Sequence, residues 1–179
     1  MKIFASLIAA SMLLTSCSSS QAKTTYTDGK VVNCNAIKHV DGNEIELLCL
    51  GDGSVIDLKS LRGPMVLNIW GSWCEPCKAE IPYLRQFYDK YNDQVALVGL
   101  DVEEPNKEAA KPFIESHGFI WPSLFDPDGR TRSVIGMGVP VTWFIDESGQ
   151  VMYKKVGAFA DFAEVEKLAK KYFNLQQQL

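Results

Sequence analysis

Histidine is nearly missing from this chain: His39 and His117 are the only two in 179 residues. A metal site built on imidazoles needs several such ligands, so that reading is excluded. Cationic residues are also in deficit, with 18 Lys and Arg against 22 Asp and Glu and a formal charge of −4. A nucleic-acid surface must neutralise phosphates with a basic face, which this balance does not supply. No internal run reaches the roughly 18 apolar residues that a membrane-spanning helix requires. What the chain does have is 46% apolar residues, enough for the core of one domain, and five cysteines. The cysteines are Cys17, Cys34, Cys49, Cys74 and Cys77.

The first belongs to a sorting signal. Lys2, an apolar run over residues 3–14 and the small residues after it have the layout of a secretory leader. Leu14-Thr15-Ser16-Cys17 resembles a bacterial lipobox. That resemblance implies removal of residues 1–16, lipidation of Cys17, and a chain anchored to the bacterial cell membrane outside the cytoplasm. Residues 17–28 are Ser/Thr/Lys-rich and hold too little apolar surface to offset their ordering entropy, so they read as a flexible tether. Residues 29–179 are the folded domain. Export also places the remaining four cysteines in a compartment where disulfides persist.

Within the domain, residues 45–49 and 55–58 flank Gly51-Asp52-Gly53-Ser54 and predict a β-hairpin. Residues 65–70 are continuously apolar except for Asn68, the pattern of a strand buried on both faces. From residue 75 to 91, Ile81, Leu84, Tyr88 and Tyr91 recur at helical spacing, with Pro82 expected to kink the axis. A second buried strand follows over 95–102, and then a helix over 106–117 that Gly118 stops and Pro112 weakens. A short helix is expected over 130–135, a hairpin over 141–146 and 151–156, and a last helix opened by Asp161 with Glu164. The order is that of an α/β domain with a mixed sheet.

Cys74-Glu75-Pro76-Cys77 falls where the first strong strand turns into the first helix. A cysteine that starts a helix faces backbone N–H groups without internal partners, and these, with the helix dipole, favour thiolate over thiol. Cysteines so placed have pKa values of about 3.5 to 7.5, against about 8.5 for a free one. Cys74 is thus the candidate nucleophile, and Cys77, one turn deeper, the residue that resolves a mixed disulfide. Pro76 presets φ in the first turn. A structural zinc site would want a second close pair, whereas Cys34 and Cys49 lie 15 apart in sequence. Haem attachment would need His where Lys78 stands.

Trp70-Gly71-Ser72-Trp73-Cys74-Glu75-Pro76-Cys77-Lys78 resembles the active-site motif of thioredoxin-like proteins, and of the exported TlpA/ResA/DsbE group in particular. Gly138-Val139-Pro140-Val141-Thr142-Trp143-Phe144-Ile145-Asp146 is similar to the cis-proline loop and following strand of that family. Asp57-Leu58-Lys59-Ser60-Leu61-Arg62-Gly63 resembles the run before its first core strand. The resemblance extends over residues 40–173. It implies a thioredoxin-like α/β fold: a central mixed sheet flanked by helices, with an N-terminal β-hairpin and a central αβ insertion. Trp121-Pro122, Asp126 and Asp128-Gly129 are then turn and packing residues of that insertion. It further implies a cis Val139–Pro140 bond beside Cys74, where Val139, Pro140 and Trp73 meet an extended substrate. Thioredoxins proper carry a buried acid on the strand before the motif, where this chain has Asn68. The ResA-like subset points instead to Glu75 and to Glu80, one turn beyond Cys77, as the proton-exchanging carboxylate.

The activity implied is exchange of a dithiol or disulfide with exported cysteine-containing proteins, reduction of apocytochrome c among its forms. It needs no cofactor beyond the Cys74–Cys77 pair and no metal. It also implies a monomer served by a membrane redox partner, such as a transmembrane thiol reductase or oxidase. The alternatives are a disulfide-forming oxidase of secreted proteins, a Cu(I)-binding protein and a thiol peroxidase. Cys34 and Cys49 do not match the redox centre of the family; neither opens a helix, and they read as a structural disulfide. His117 reads as a helix-end residue.

Overall fold

The computed structural model describes residues 26–136 and 138–175. The leader, the lipidation site Cys17 and the tether as far as residue 25 lie outside the described residues. The domain opens with the expected hairpin, β1 (Glu46–Cys49) and β2 (Val55–Asp57), in register Leu47↔Ile56. Asp57 then caps a 3₁₀ turn over Leu58–Ser60, its carboxylate accepting from the backbone of Lys59 and Ser60. β3 (Met65–Trp70) runs into α1 (Glu75–Tyr91), which is continuous through Pro82. After β4 (Ala96–Asp101) and α2 (Lys107–Ser116) comes β5 (Ser123–Phe125). β5 was not expected, because three residues between Pro122 and Pro127 carry no readable period. The short α3 (Arg132–Ile135), β6 (Val141–Ile145), β7 (Val151–Val156) and α4 (Phe162–Phe173) complete the chain.

The strands form one seven-stranded mixed sheet, ordered β2-β1-β5-β4-β3-β6-β7. β3, β4 and β5 are parallel, and the hairpins at either end are antiparallel. β5 is what joins the N-terminal hairpin to the rest, through Leu48↔Phe125. The connections β3-α1-β4 and β4-α2-β5 step across the sheet in the same direction. With the same hand of crossover, both helices land on one face. There they pack with α4 over Val66, Trp70 and Phe144. The opposite face, carrying Leu67, Ile69, Val98 and Trp143, is covered by the segment at Cys34–Ile37, by Leu58 and Leu61, and by α3. β3 is buried along its whole length because both of its faces are covered. This is the thioredoxin-like architecture.

An ion pair and a disulfide are among the contacts that fasten down the N-terminal segment. Arg85 on α1 holds the Asp28 carboxylate with both terminal nitrogens at 3.0 and 3.1 Å, donates to the Gly118 carbonyl at 2.9 Å, and stacks on Tyr26. Asp28, assigned by composition to the tether, is therefore already docked. The disulfide runs from Cys34 to Cys49 at the end of β1. Among the described residues no helix is long and apolar enough to cross a membrane.

The Cys34–Cys49 loop of 15 residues removes enough freedom from the unfolded chain to contribute about 3 kcal/mol. The double variant Cys34→Ala/Cys49→Ala is expected to unfold at lower denaturant with a stability loss near that figure. Unchanged stability in a urea titration would show that this cross-link constrains nothing.

Candidate active site

Cys74 is the N-cap of α1. Its backbone is extended (φ −84°, ψ 104°), and its Sγ accepts from the Cys77 backbone N–H at 3.1 Å. The sulfur thus takes the place that a serine or aspartate oxygen usually fills at a helix start. Cys74 and Cys77 are bonded to each other, with Cα atoms 5.3 Å apart. The loop that delivers Cys74 is fixed from two sides. Its N–H donates to the Gly71 carbonyl at 3.1 Å, and the Ser72 N–H donates to Glu104 Oε1 at 2.6 Å. A side chain at Gly71 would run into the Trp73 indole, 2.6 Å from the position of a Cβ, so glycine lets Trp73 fold back over the loop. Trp73 remains half exposed beside the buried cysteines.

The residues expected around this pair divide into two groups. Glu75 is exposed and pairs with Lys78 at 2.9 Å on the surface of the first turn, away from the sheet. Glu80 is completely buried. Its Oε1 accepts from Asn68 Nδ2 at 2.8 Å and its Oε2 from the Phe159 backbone at 3.0 Å. Burial is the largest influence on its carboxyl and pushes it up to about 7, against the opposing pull of those hydrogen bonds and of Lys155. Glu80 is therefore not part of the solvated face of α1. Val139–Pro140 is cis, and Val139 lines a groove together with Trp73.

Three participants were missed by the sequence reading. Asn68, noted only for not being an acid, is the donor that fixes Glu80, and its amide also donates to Thr142 Oγ1 at 3.0 Å. The signal was a lone polar residue in an apolar strand. Glu104, buried in the loop after β4, clamps Ser72. Asp101, the last residue of β4, is fully buried, and neither of its carboxylate oxygens has a hydrogen-bond partner among the described residues. Burial, with Glu104 adding repulsion, pushes its carboxyl up to about 8. A charged residue closing a buried parallel strand at its carboxyl end was the readable sign, since α/β sheets place their sites there. His117 caps the end of α2, with Nδ1 3.0 Å from the Phe113 carbonyl. Among the described residues no group of three or more His, Cys, Asp or Glu is placed to hold a metal ion.

The Redoxin family profile matches residues 21–170. The thiol-disulfide oxidoreductase ResA of Bacillus thuringiensis (strain Al Hakam) is 36% identical over 109 residues, 59% of this chain and 62% of that relative. The chain therefore spans less than two thirds of the curated relatives it matches. Among solved structures, StoA from Bacillus subtilis is 26% identical with a TM-score of 0.55, over 65% of this chain and 89% of that one. A secreted Mycobacterium tuberculosis disulfide oxidoreductase, described as homologous to E. coli DsbE, is 25% identical with a TM-score of 0.60, over 70% and 94%.

The buried acids make stability depend on pH in a stated direction. The folded chain keeps the Asp101 proton to about pH 8, whereas an unfolded aspartate releases it near 3.8. Unfolding therefore releases a proton across that window, and stability falls as pH rises, by at most about 1.4 kcal/mol per pH unit for each such group. Glu80 adds to the fall between 4.5 and about 7. In the oxidised protein, where the cysteines do not titrate, Asp101→Asn is expected to flatten the fall and to remove it above pH 7. A variant with the parental slope in urea unfolding between pH 5 and 8 would show that Asp101 is ionised in the fold.

Proposed function

We propose that this chain, which belongs to the Redoxin family, is a thiol–disulfide oxidoreductase that exchanges its Cys74–Cys77 pair with cysteines of exported proteins. The observation that carries the reading is the Cys74 sulfur standing as the N-cap of α1 within reach of Cys77. In the reducing direction the Cys74 thiolate attacks one sulfur of a substrate disulfide. The substrate S–S bond breaks, its other sulfur leaves as a thiolate, and a mixed disulfide remains. Cys77 then loses its proton and attacks Cys74 Sγ. This releases the second substrate thiolate and leaves Cys74–Cys77 oxidised, with two electrons transferred. The oxidising direction is the reverse.

Glu80 lies one helical turn beyond Cys77 with a carboxyl near neutrality, which suits it to take and return the Cys77 proton. Glu75 has an electrostatic part only, as an acid in the first turn. Trp73, Val139 and Pro140 frame the substrate approach. In this reading residues 1–16 are a leader, Cys17 carries lipid, and the tether holds the domain outside the cytoplasm at the bacterial cell membrane. A membrane thiol reductase or oxidase resets the pair there, the domain works as a monomer, and apocytochrome c is among the substrates. The Cys34–Cys49 bond is structural in this scheme, and the activity needs no cofactor.

A glutathione redox titration followed by tryptophan fluorescence tests the reading and fixes its direction. Reversible two-electron behaviour is expected, with a potential at or below about −250 mV for a reductant and near −120 mV for an oxidant. Cys74→Ala should abolish exchange, and Cys77→Ala should accumulate the mixed disulfide. Glu80→Gln should slow resolution and erase a step near pH 7 in its rate profile. Full exchange by Cys74→Ala would end the proposal.

A further inference from the structure

Asn68, Thr142 and Lys155 stand opposite one another on β3, β6 and β7, so their side chains share one face of the sheet. It is the face under α1 and α4, where Val66, Phe144 and Tyr153 otherwise pack. Two members of this polar row already serve Glu80, because the Asn68 amide donates to Glu80 and to Thr142. Lys155 is the third. β7 is an edge strand, and its Lys154 is exposed on the other face. Solvent was therefore available to an ammonium here, yet the Lys155 side chain is turned inward and is only 17% exposed.

The Lys155 ammonium donates to the Ala158 carbonyl at 3.2 Å. The N–H at the other end of that same peptide group, on Phe159, donates to Glu80 Oε2 at 3.0 Å. One planar peptide thus has a cation on its oxygen and the buried carboxyl on its nitrogen. A cation on the carbonyl polarises the group and makes its N–H a stronger donor. Gly157, at φ 82°, makes the turn that lets Ala158 meet Lys155. Glu164 of α4 holds the ammonium as well, with Oε1 at 3.3 Å, while its Oε2 accepts from the Ala160 N–H at 2.8 Å. Among the described residues the charged groups acting on Glu80 are Lys155 from β7 and Glu164 from α4. Cys77 stands one turn away on its own helix, and β3 and β6 present the uncharged Asn68 and Thr142. Burial, the largest influence, raises the Glu80 carboxyl; the two hydrogen bonds and Lys155 lower it, and Glu164 raises it.

We infer that Lys155 is a positioning residue for disulfide exchange: through the Ala158–Phe159 peptide it holds Glu80 in place and sets the pH at which that carboxyl takes and returns the Cys77 proton. The inference rests on the oxidoreductase reading and on the part of Glu80 in it, and adds the residue that tunes that part. The sign is fixed by charge. Without Lys155 the ionised carboxyl loses a cation and a strengthened donor, so Glu80 keeps its proton to higher pH.

The test follows the glutamate carboxyl carbons of the oxidised protein by NMR across pH, where the cysteines do not titrate. Glu80 is the signal that Glu80→Gln removes. Lys155→Met keeps the chain length and the apolar contact with Phe159, and is expected to raise the Glu80 midpoint by about one pH unit. Lys155→Arg should return it most of the way. The pH step in the rate at which Cys77 resolves a preformed mixed disulfide should move with it. Glu164→Gln keeps an oxygen for the Ala160 N–H and should move both midpoints down, which also supplies the test if Lys155→Met does not fold. An unmoved Glu80 midpoint in folded Lys155→Met, or no downward move in Glu164→Gln, would overturn the inference and leave Glu80 its part. A carboxyl midpoint that moves while the resolution step stays would overturn the inference together with that part, and leave disulfide exchange standing. Only a parent protein that exchanges with no disulfide at all would remove the oxidoreductase reading itself.

Discussion

A helix of ordinary length leaves its first backbone N–H groups without partners, and this fold aims that deficiency at a sulfur. The constraint is spatial. β3 is buried throughout, so its end is fixed, and only Gly71, Ser72 and Trp73 separate it from the first residue of the cap. Glu104 holding Ser72, and Trp73 lying over Gly71, leave that short loop little freedom. Cys74 Sγ therefore arrives where a capping oxygen would otherwise be, and the Cys77 N–H is already pointed at it. Favouring the thiolate here requires no new charge, because the donors exist whether or not the sulfur is ionised.

The layer between helices and sheet holds two buried carboxyls close to the same region. Trp70 pairs with Asp101 across β3 and β4, and a Cβ at Gly99 would sit 2.8 Å from the Trp70 indole nitrogen. Gly99 thus faces the helices, and Asp101, two residues on, faces the same way. Glu80 enters that layer from α1 on the other side of β3, towards Thr142 of β6 through the shared Asn68 amide. Two carboxyls raised by burial, one to about 7 and one to about 8, flank the strand that leads to Cys74. Glu80 is hydrogen-bonded and Asp101 is not, which is why the aspartate is displaced further from its ordinary value.

Much of this was readable before any coordinates. The strong strand, the cysteine at its end, the helix spacing and the Asp161 cap are local patterns, and local patterns survive folding. Half of the capping box forms as expected, the Glu164 N–H donating to Asp161 at 2.8 Å, while the Glu164 carboxylate accepts from Ala160, one residue before the cap. β5 was illegible because its identity as a strand comes from β1 and β4 on either side, not from its own three residues. Asn68 and Asp101 escaped for a related reason. A single polar residue in an apolar run is ambiguous until the opposing element is known: the Glu80 partner of Asn68 lies 12 residues away on a helix, and Asp101 has no hydrogen-bond partner among the described residues. Arg85, spaced like any exposed helical residue, became a buried anchor only when Asp28 returned to it.

The described residues hold two disulfides, and their environments separate them. Both are buried, so exposure does not distinguish a working bond from a fixed one. Cys34 lies in a turn and Cys49 ends a strand, so neither sulfur has a helix start to stabilise it as a leaving group or nucleophile. Breaking that bond would also release the N-terminal segment from β1. The Cys74–Cys77 bond joins the cap of α1 to a residue of the first turn of the same helix, so it ties no other element down. A bond that does not hold the fold together can open and close in each turnover without disturbing it. The proposed division of labour therefore follows from where each pair falls relative to the secondary structure.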